Sequence, residues 1–327
     1  MNPPPKVWLA GARPRTLPAA VVPVVVGTAA GYLSSGRLVP TTAEAAGGCH
    51  AVVCTAFDRQ LSWLNALLAL VVALAIQIGT NYVNDYSDGL RGTDEARVGP
   101  VRLVAGKLAT ARQVELAALA AFGVAALAGL ALAARVTWWF IPLGLVCVVA
   151  GWAYTGGPRP YGYLGFGEVF VFVFFGIVAT AGSAYVQHAP FVTSLGGHRV
   201  SYNFNWPFVL WCSVPVGLLA MALLEANNLR DIATDQEAGK KTLAVRLGRR
   251  NAGLFYGLTL LGSAIAIGVL SYFRVWSLLA LLAFPLALPP LRLALSDRSG
   301  RELLPMLVAT ARLQLAVGIL LTVGLLL

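Results

Sequence analysis

Asn81-Tyr-Val-Asn84-Asp85-Tyr-Ser-Asp88 ends some twenty almost wholly apolar residues. If the helix of residues 61–80 runs on through it, Asn81, Asp85 and Asp88 stand at i, i+4 and i+7, within about 60° of arc at roughly 100° per residue. One face then carries an amide and two carboxylates. A second polar run, Asn227-Asn228-Leu-Arg230-Asp231-Ile-Ala-Thr-Asp235, closes another apolar stretch 146 positions later, again with Asn four residues before Asp. Acidic groups beside hydrocarbon are costly and mark sites facing an interior cavity. Of the fourteen Asp and Glu, eight (Asp85, Asp88, Asp94, Glu95, Glu225, Asp231, Asp235 and Glu237) lie in or beside these runs. Hard oxygen ligands without His or Cys suit Mg²⁺, which takes one or two carboxylates, keeps waters and completes its shell with phosphate. Two facing clusters of this kind would clamp a diphosphate. The plainer alternative, helix-end residues in solvent, accounts for each Asp singly but poorly for two related runs.

The elements that must carry these runs are membrane spans. The 327 residues are 58% hydrophobic and 12% charged, with mean hydropathy +0.74. That is the composition of an all-α polytopic membrane protein, read as one domain over residues 1–327. With about 20 apolar residues needed per crossing, nine spans are expected: 16–34, 61–82, 112–133, 137–155, 166–187, 207–228, 252–271, 275–293 and 304–326. An inside N-terminus places eighteen of the 24 Lys and Arg in inside segments, five outside and Arg312 within the last span. The positive-inside rule then sets both acidic runs on the cytoplasmic side of the cell membrane. The net charge of +10 thus reports topology, and no basic module interleaved with aromatics calls for nucleic acid. The start, Met-Asn-Pro-Pro-Pro-Lys, lacks the pattern of a cleaved signal, so the first apolar segment is expected to be retained, kinked by Pro18 and Pro23.

The loops sharpen the chemistry. Arg13 and Arg15 precede the first span, where they either snorkel to lipid headgroups or meet an anionic substrate. After the first acidic run comes a Gly-rich basic loop with Arg91, Arg97, Arg102 and Lys107; after the second comes Gly239-Lys240-Lys241-Thr242. Such cations suit phosphate oxygens that metals leave free. The loop Tyr154–Glu168 is rich in Gly, Pro and aromatics and reads as a tight turn with a functional lining, because it lacks the strand and the Lys-Ser/Thr of a phosphate loop. Cys49 and Cys54 form a weak disulfide signal in an external loop, while Cys147 and Cys212 read as packing residues. All three His fall in external segments, which leaves the acidic end without imidazole. Trp138, Trp139, Trp206, Trp211 and Trp276 lie near external ends as interfacial anchors.

A carboxylate-held Mg²⁺ site opening onto an apolar cavity suits a lipid diphosphate. Metals and cations neutralise the leaving group, and apolar or aromatic walls shield an allylic cation from water. Asn81-x3-Asp85-x2-Asp88 and Asn227-x3-Asp231-x3-Asp235 resemble the two aspartate-rich motifs of the UbiA superfamily of intramembrane prenyltransferases. Ala12-Arg-Pro-Arg-Thr-Leu-Pro18, Asn84-Asp-Tyr-Ser-Asp-Gly-Leu-Arg-Gly-Thr-Asp94, Arg97-Val-Gly-Pro-Val-Arg102 and Tyr154-Thr-Gly-Gly-Pro-Arg-Pro-Tyr161 are similar to the 1,4-dihydroxy-2-naphthoate polyprenyltransferases of menaquinone synthesis. The resemblance implies a nine-helix bundle with cytoplasmic cap loops. It also implies a need for Mg²⁺ and transfer of a polyprenyl group from polyprenyl diphosphate to the naphthoate with loss of CO₂, giving demethylmenaquinone. Carried over, it makes Asp85, Asp88, Asp231 and Asp235 the Mg²⁺ ligands, supported by Asn81 and Asn227, with Asn84 and Asn228 beside them. Arg97, Arg102, Lys107 and Lys240 are then the diphosphate contacts. Many superfamily members have Asp-x3-Asp in the first motif; here the two are three apart, which leaves Asp94 as an extra candidate ligand.

Two rivals fare worse. A CDP-alcohol phosphotransferase needs Asp-Gly-x2-Ala-Arg, and Asp88-Gly-Leu-Arg91 is followed by Gly92. A cation transporter would hold its acids near the midplane, whereas both runs here sit at helix ends. A prenyltransferase with another aromatic acceptor stays open on the residues alone.

Overall fold

The structure, a computed structural model, describes residues 3–34, 37–44, 50–58, 61–92, 102–188, 193–195, 198–200 and 204–327, with backbone alone described over 37–44, 50–58, 188, 193–195 and 198–200. Each apolar run becomes a helix, because in lipid a helix satisfies its own backbone polar groups. In chain order these are α1 (Pro5–Gly11) and α2 (Pro18–Ser34), α3 (Trp63–Leu90), α4 (Ala111–Arg135), α5 (Phe140–Ala153), α6 (Gly167–Gln187), α7 (Trp206–Glu237), α8 (Leu243–Leu270), α9 (Val275–Ala294) and α10 (Gly300–Leu326). Among the described residues seven of them, α3, α4 and α6 to α10, are long and apolar enough to cross a membrane. The pair Pro5–Thr16 and Pro18–Ser34, bent by 56°, makes an eighth candidate. Helix α5, the remaining expected span, has fourteen residues, fewer than the roughly 20 of a full crossing.

Outside this helical body the chain forms two antiparallel hairpins in segments the sequence presents as connecting loops. β1 (Arg37–Glu44) pairs with β2 (His50–Asp58), and β3 (Thr193–Leu195) with β4 (His198–Val200). The expected pairing of Cys49 with Cys54 lies outside the described residues.

Helix α7 is the central post, packed against α2, α6, α8 and α10. Helix α2 lies close against α6, and glycine makes that approach possible. A Cβ on Gly27 would stand 2.2 Å from the Thr180 carbonyl oxygen, and one on Gly31 would stand 2.3 Å from that of Ala184. Small residues four apart let spans meet at backbone distance where lipid offers no hydrophobic drive to association. The 56° bend falls at the junction before Pro18, where Arg13 takes a left-handed conformation, φ 53°. Leucines such as Leu127, Leu145 and Leu282 are exposed around the body, as lipid-facing residues are. Trp63, Trp138, Trp139, Trp206 and Trp276 are exposed at the end away from the acidic runs. At that end a polar clasp ties α3, α4 and α6: Arg135 Nε donates to Asn65 Oδ1 at 2.8 Å and Asn65 Nδ2 to the Val186 carbonyl at 2.7 Å.

Candidate active site

Both acidic runs are helical to their ends. Helix α3 continues to Leu90 and α7 to Glu237, so each run forms the last turns of a span, and both lie at the same end of the bundle. Their carboxylates are buried, with Asp85, Asp88, Asp231 and Asp235 all at or below 4% exposure.

The first run is spoken for residue by residue. Asp85 accepts the backbone N–H of Leu103 on both oxygens, at 2.9 and 3.0 Å, and that of Val104 at 3.3 Å. It thereby ties the turn after Arg102 onto the helix. Asn84 accepts the Thr155 hydroxyl at 2.6 Å. Asn81 donates to the Ala12 carbonyl at 2.9 Å and to Thr16 Oγ1 at 3.2 Å, which brackets the bend carrying Arg13 and Arg15. Asp88 accepts from the Tyr163 hydroxyl and from Lys240 Nζ at 3.3 Å, and its other oxygen is 3.9 Å from Arg102 Nη2.

The second run divides its labour in the same way. Arg230 forks onto Asp231 with two bonds of 2.7 Å, the planar match that guanidinium and carboxylate favour. Asn228 donates to Glu168 Oε1 at 2.9 Å, and Asn227 to the Leu223 carbonyl of its own helix at 3.3 Å. The helix then stops at a turn in which Gly239 takes φ 70°, and Lys240 N returns to the Asp235 carbonyl at 2.8 Å. This aims the Lys240 side chain back over the helix end, where Nζ is 3.9 Å from Asp235 and 3.3 Å from Asp88. One ammonium therefore bridges the two motifs, Lys240 reaching Asp88 across 152 positions.

Below that bridge lies a cavity of about 980 Å³. Its polar end carries Asn81, Asn84, Asp88, Arg102, Asn227, Asn228, Asp235 and Lys240, together with Arg13, Arg15 and Arg230. Its body is apolar and reaches Leu132, Phe140 and Val186 toward the opposite end. One wall is an aromatic ladder. Tyr161 stacks on Phe170 with centroids 3.9 Å apart, Phe170 on Phe174 at 5.9 Å, and Tyr154 meets Tyr161 edge-on at 5.5 Å. The Tyr161 hydroxyl donates to the Ala150 carbonyl at 2.8 Å, and burial pushes its pKa up, so it is a neutral donor at any physiological pH.

Of the residues singled out in the sequence, Asp88 and Asp235 converge at the cavity mouth. Asp85 and Asp231 are not among its lining residues; they brace the loop and the arginine that shape it. Lys107 is exposed on the 102–108 turn and does not line the cavity. Arg97 and Asp94 lie outside the described residues. Among the described residues no three acidic, His or Cys side chains come close enough to hold an ion by themselves. The donor set nonetheless fits Mg²⁺, because two carboxylates already sharing one cation are the protein half of a shell that phosphate and water complete. Sequence reasoning missed Tyr163, Thr155 and Glu168. The aromatic loop Tyr154–Glu168 was the available signal, but nothing local to it says which of its side chains turns inward.

A helical membrane bundle whose two acidic helix ends meet over a deep apolar cavity defines a class, and the chain belongs to the UbiA prenyltransferase family, whose model matches residues 45–322. Within it, the chain is 45% identical over 300 residues to a 1,4-dihydroxy-2-naphthoate octaprenyltransferase of Mycobacterium tuberculosis, covering 92% of this chain and 90% of that one. An Escherichia coli protein of the same name is 33% identical, with 98% and 94% covered. The fold is that of a UbiA homolog from Archaeoglobus fulgidus solved bound to GPP and Mg²⁺, with TM-score 0.57, 16% identity, and 96% and 99% of the two chains covered.

Proposed function

We propose that this multi-pass membrane protein transfers a polyprenyl group from polyprenyl diphosphate to 1,4-dihydroxy-2-naphthoate with loss of CO₂, the prenylation step of menaquinone biosynthesis. The observation that carries the reading is the shared ammonium. Asp88 and Asp235 reach one cation, Lys240, at the mouth of a cavity with a polar end and an apolar, aromatic body. The naming of relatives 45% and 33% identical, aligned over nearly the whole chain, supports the choice of acceptor.

The residues divide the work. Asp88 and Asp235, backed by Asp85 and Asp231, are the carboxylates for Mg²⁺, which when bound supplies positive charge against the diphosphate. Lys240, Arg102 and Arg230 line the same end and meet oxygens that the metal leaves free. The bond between prenyl C1 and its bridging oxygen breaks, the diphosphate leaves, and the positive charge spreads over the allylic carbons. Tyr161, Phe170 and Phe174 offer π faces to that charge and exclude water from it. The ring carbon that bears the acceptor's carboxylate bonds to C1, and that carboxylate departs as CO₂ with its bonding pair returned to the ring. The ring is left as the hydroquinone, the reduced form of demethylmenaquinone. Arg13 and Arg15, carried on the bend that Asn81 holds through Ala12 and Thr16, line the same cavity and would face the acceptor's carboxylate. The site faces the cytoplasm of the cell membrane, as the distribution of Lys and Arg supports.

The test supplies the protein in membranes with Mg²⁺, a prenyl diphosphate and either 1,4-dihydroxy-2-naphthoate or 4-hydroxybenzoate. A decarboxylated prenyl naphthoate detected by mass is expected; product from 4-hydroxybenzoate alone refutes the acceptor, and no product from either refutes the activity.

A further inference from the structure

Tyr163 sits where the first motif, the second motif and the aromatic loop meet. Its hydroxyl donates to Asp88 Oδ1, the same oxygen that accepts Lys240 Nζ at 3.3 Å. Lys240 Nζ is also 4.5 Å from the centre of the Tyr163 ring, and the Arg91 guanidinium is 5.3 Å from that centre. The ring is fixed from behind. Its own carbonyl accepts Lys241 N at 2.9 Å, Arg246 donates to the next carbonyl, Leu164, at 3.0 Å, and Arg91 forks onto the carbonyls of Thr155 and Gly157.

A lysine is a point charge on a flexible stem. Held by carboxylates alone, it is drawn into whichever pair is closest and largely neutralised there. An aromatic face attracts the ammonium without carrying a formal charge, so it locates the cation and leaves its charge available. The Tyr163 hydroxyl meanwhile occupies part of Asp88 Oδ1, which keeps Lys240 shared between Asp88 and Asp235. Resting on the reading that this cavity takes a prenyl diphosphate, we propose that Tyr163 is a positioning residue for headgroup capture, its ring aiming the Lys240 ammonium at the diphosphate while its hydroxyl orients the Asp88 carboxylate.

The test measures binding rather than turnover, by isothermal titration of the purified full chain in lipid nanodiscs with geranyl diphosphate, first in EDTA and then with Mg²⁺. In EDTA, Tyr163→Leu is expected to weaken binding about five- to tenfold, the span of a partly desolvated cation–π contact, and Lys240→Met by at least as much. Because the ring acts through Lys240, adding Tyr163→Leu to Lys240→Met should cost less than about twofold more. Tyr163→Phe keeps the ring and carries the test should the leucine variant fail to fold. It should bind within about twofold of wild type in EDTA yet need severalfold more Mg²⁺ to reach full affinity. Overturning results are Tyr163→Leu binding as wild type, its effect multiplying with that of Lys240→Met, or Tyr163→Phe leaving the Mg²⁺ requirement unchanged. A wild-type chain that does not bind geranyl diphosphate with Mg²⁺ would instead defeat the functional reading beneath the proposal.

Discussion

Replacing Lys240 by methionine removes a cation that both motifs share and leaves two buried carboxylates without it. At 3.3 and 3.9 Å the two attractions are about 5 and about 4 kcal/mol at an effective dielectric of about 20. These are gross terms, offset by the desolvation of all three groups. Breaking a buried ion pair by truncating one partner costs about 3–5 kcal/mol, and Lys240, Asp88 and Asp235 are each no more than 6% exposed. At roughly 2 °C per kcal/mol for a chain of this size, the melting temperature in EDTA should fall by about 6–10 °C. If Asp88 and Asp235 are the Mg²⁺ carboxylates, the ion restores the missing positive charge, and binding to the native state alone raises its stability by mass action. Millimolar Mg²⁺ should therefore recover much of the loss in Lys240→Met while raising wild type less, since wild-type Mg²⁺ must displace an ammonium. Tryptophan fluorescence melts with Mg²⁺ and EDTA, with Ca²⁺ and NaCl as controls, would show it. An equal Mg²⁺ shift in both proteins, or a variant as stable as wild type in EDTA, would refute the reasoning.

Asp88→Asn and Asp235→Asn, the carboxylates that line the cavity, are both expected to abolish prenyl transfer in membranes while the chain still inserts, and near-normal turnover by either purified variant would contradict the site. The bracing positions, Asp85 and Asp231, should differ from each other in a denaturation series. Asp85→Asn keeps an amide oxygen for the Leu103 N–H, a loss of about 1 kcal/mol, whereas Asp231→Asn strands the buried Arg230 guanidinium, a loss of about 3–5 kcal/mol. Gly31→Ala places a methyl 2.3 Å from the Ala184 carbonyl oxygen and must part α2 from α6, lowering stability by about 1–3 kcal/mol in the same measurement. Gly123→Ala on α4, with nothing within 4 Å of its Cβ, should be neutral or stabilising by up to about 1 kcal/mol.

The spans and the polar helix ends were legible because each is a local property. A hydrophobic run of span length has few alternatives to a helix in lipid, and 3.6-residue periodicity places Asn81, Asp85 and Asp88 near one another whatever lies around them. The close approach at Gly27 and Gly31 was not read from the sequence, because only the partner helix gives two small residues four apart their meaning. Where each carboxylate points was decided by tertiary structure. Asp85 and Asp88 are one turn apart on one helix, yet Asp85 turns to the backbone of residues 103–104 and Asp88 to Tyr163 and Lys240. That division depends on which loop packs over each turn, and a contact across 152 positions leaves no trace in local pattern. The sequence by itself thus determined that two anionic helix ends exist on one side of a membrane bundle. Only the tertiary structure decided that Asp88 and Asp235 meet at a cation while Asp85 and Asp231 hold the frame, because burial and partner geometry, not residue type, set what a carboxylate faces.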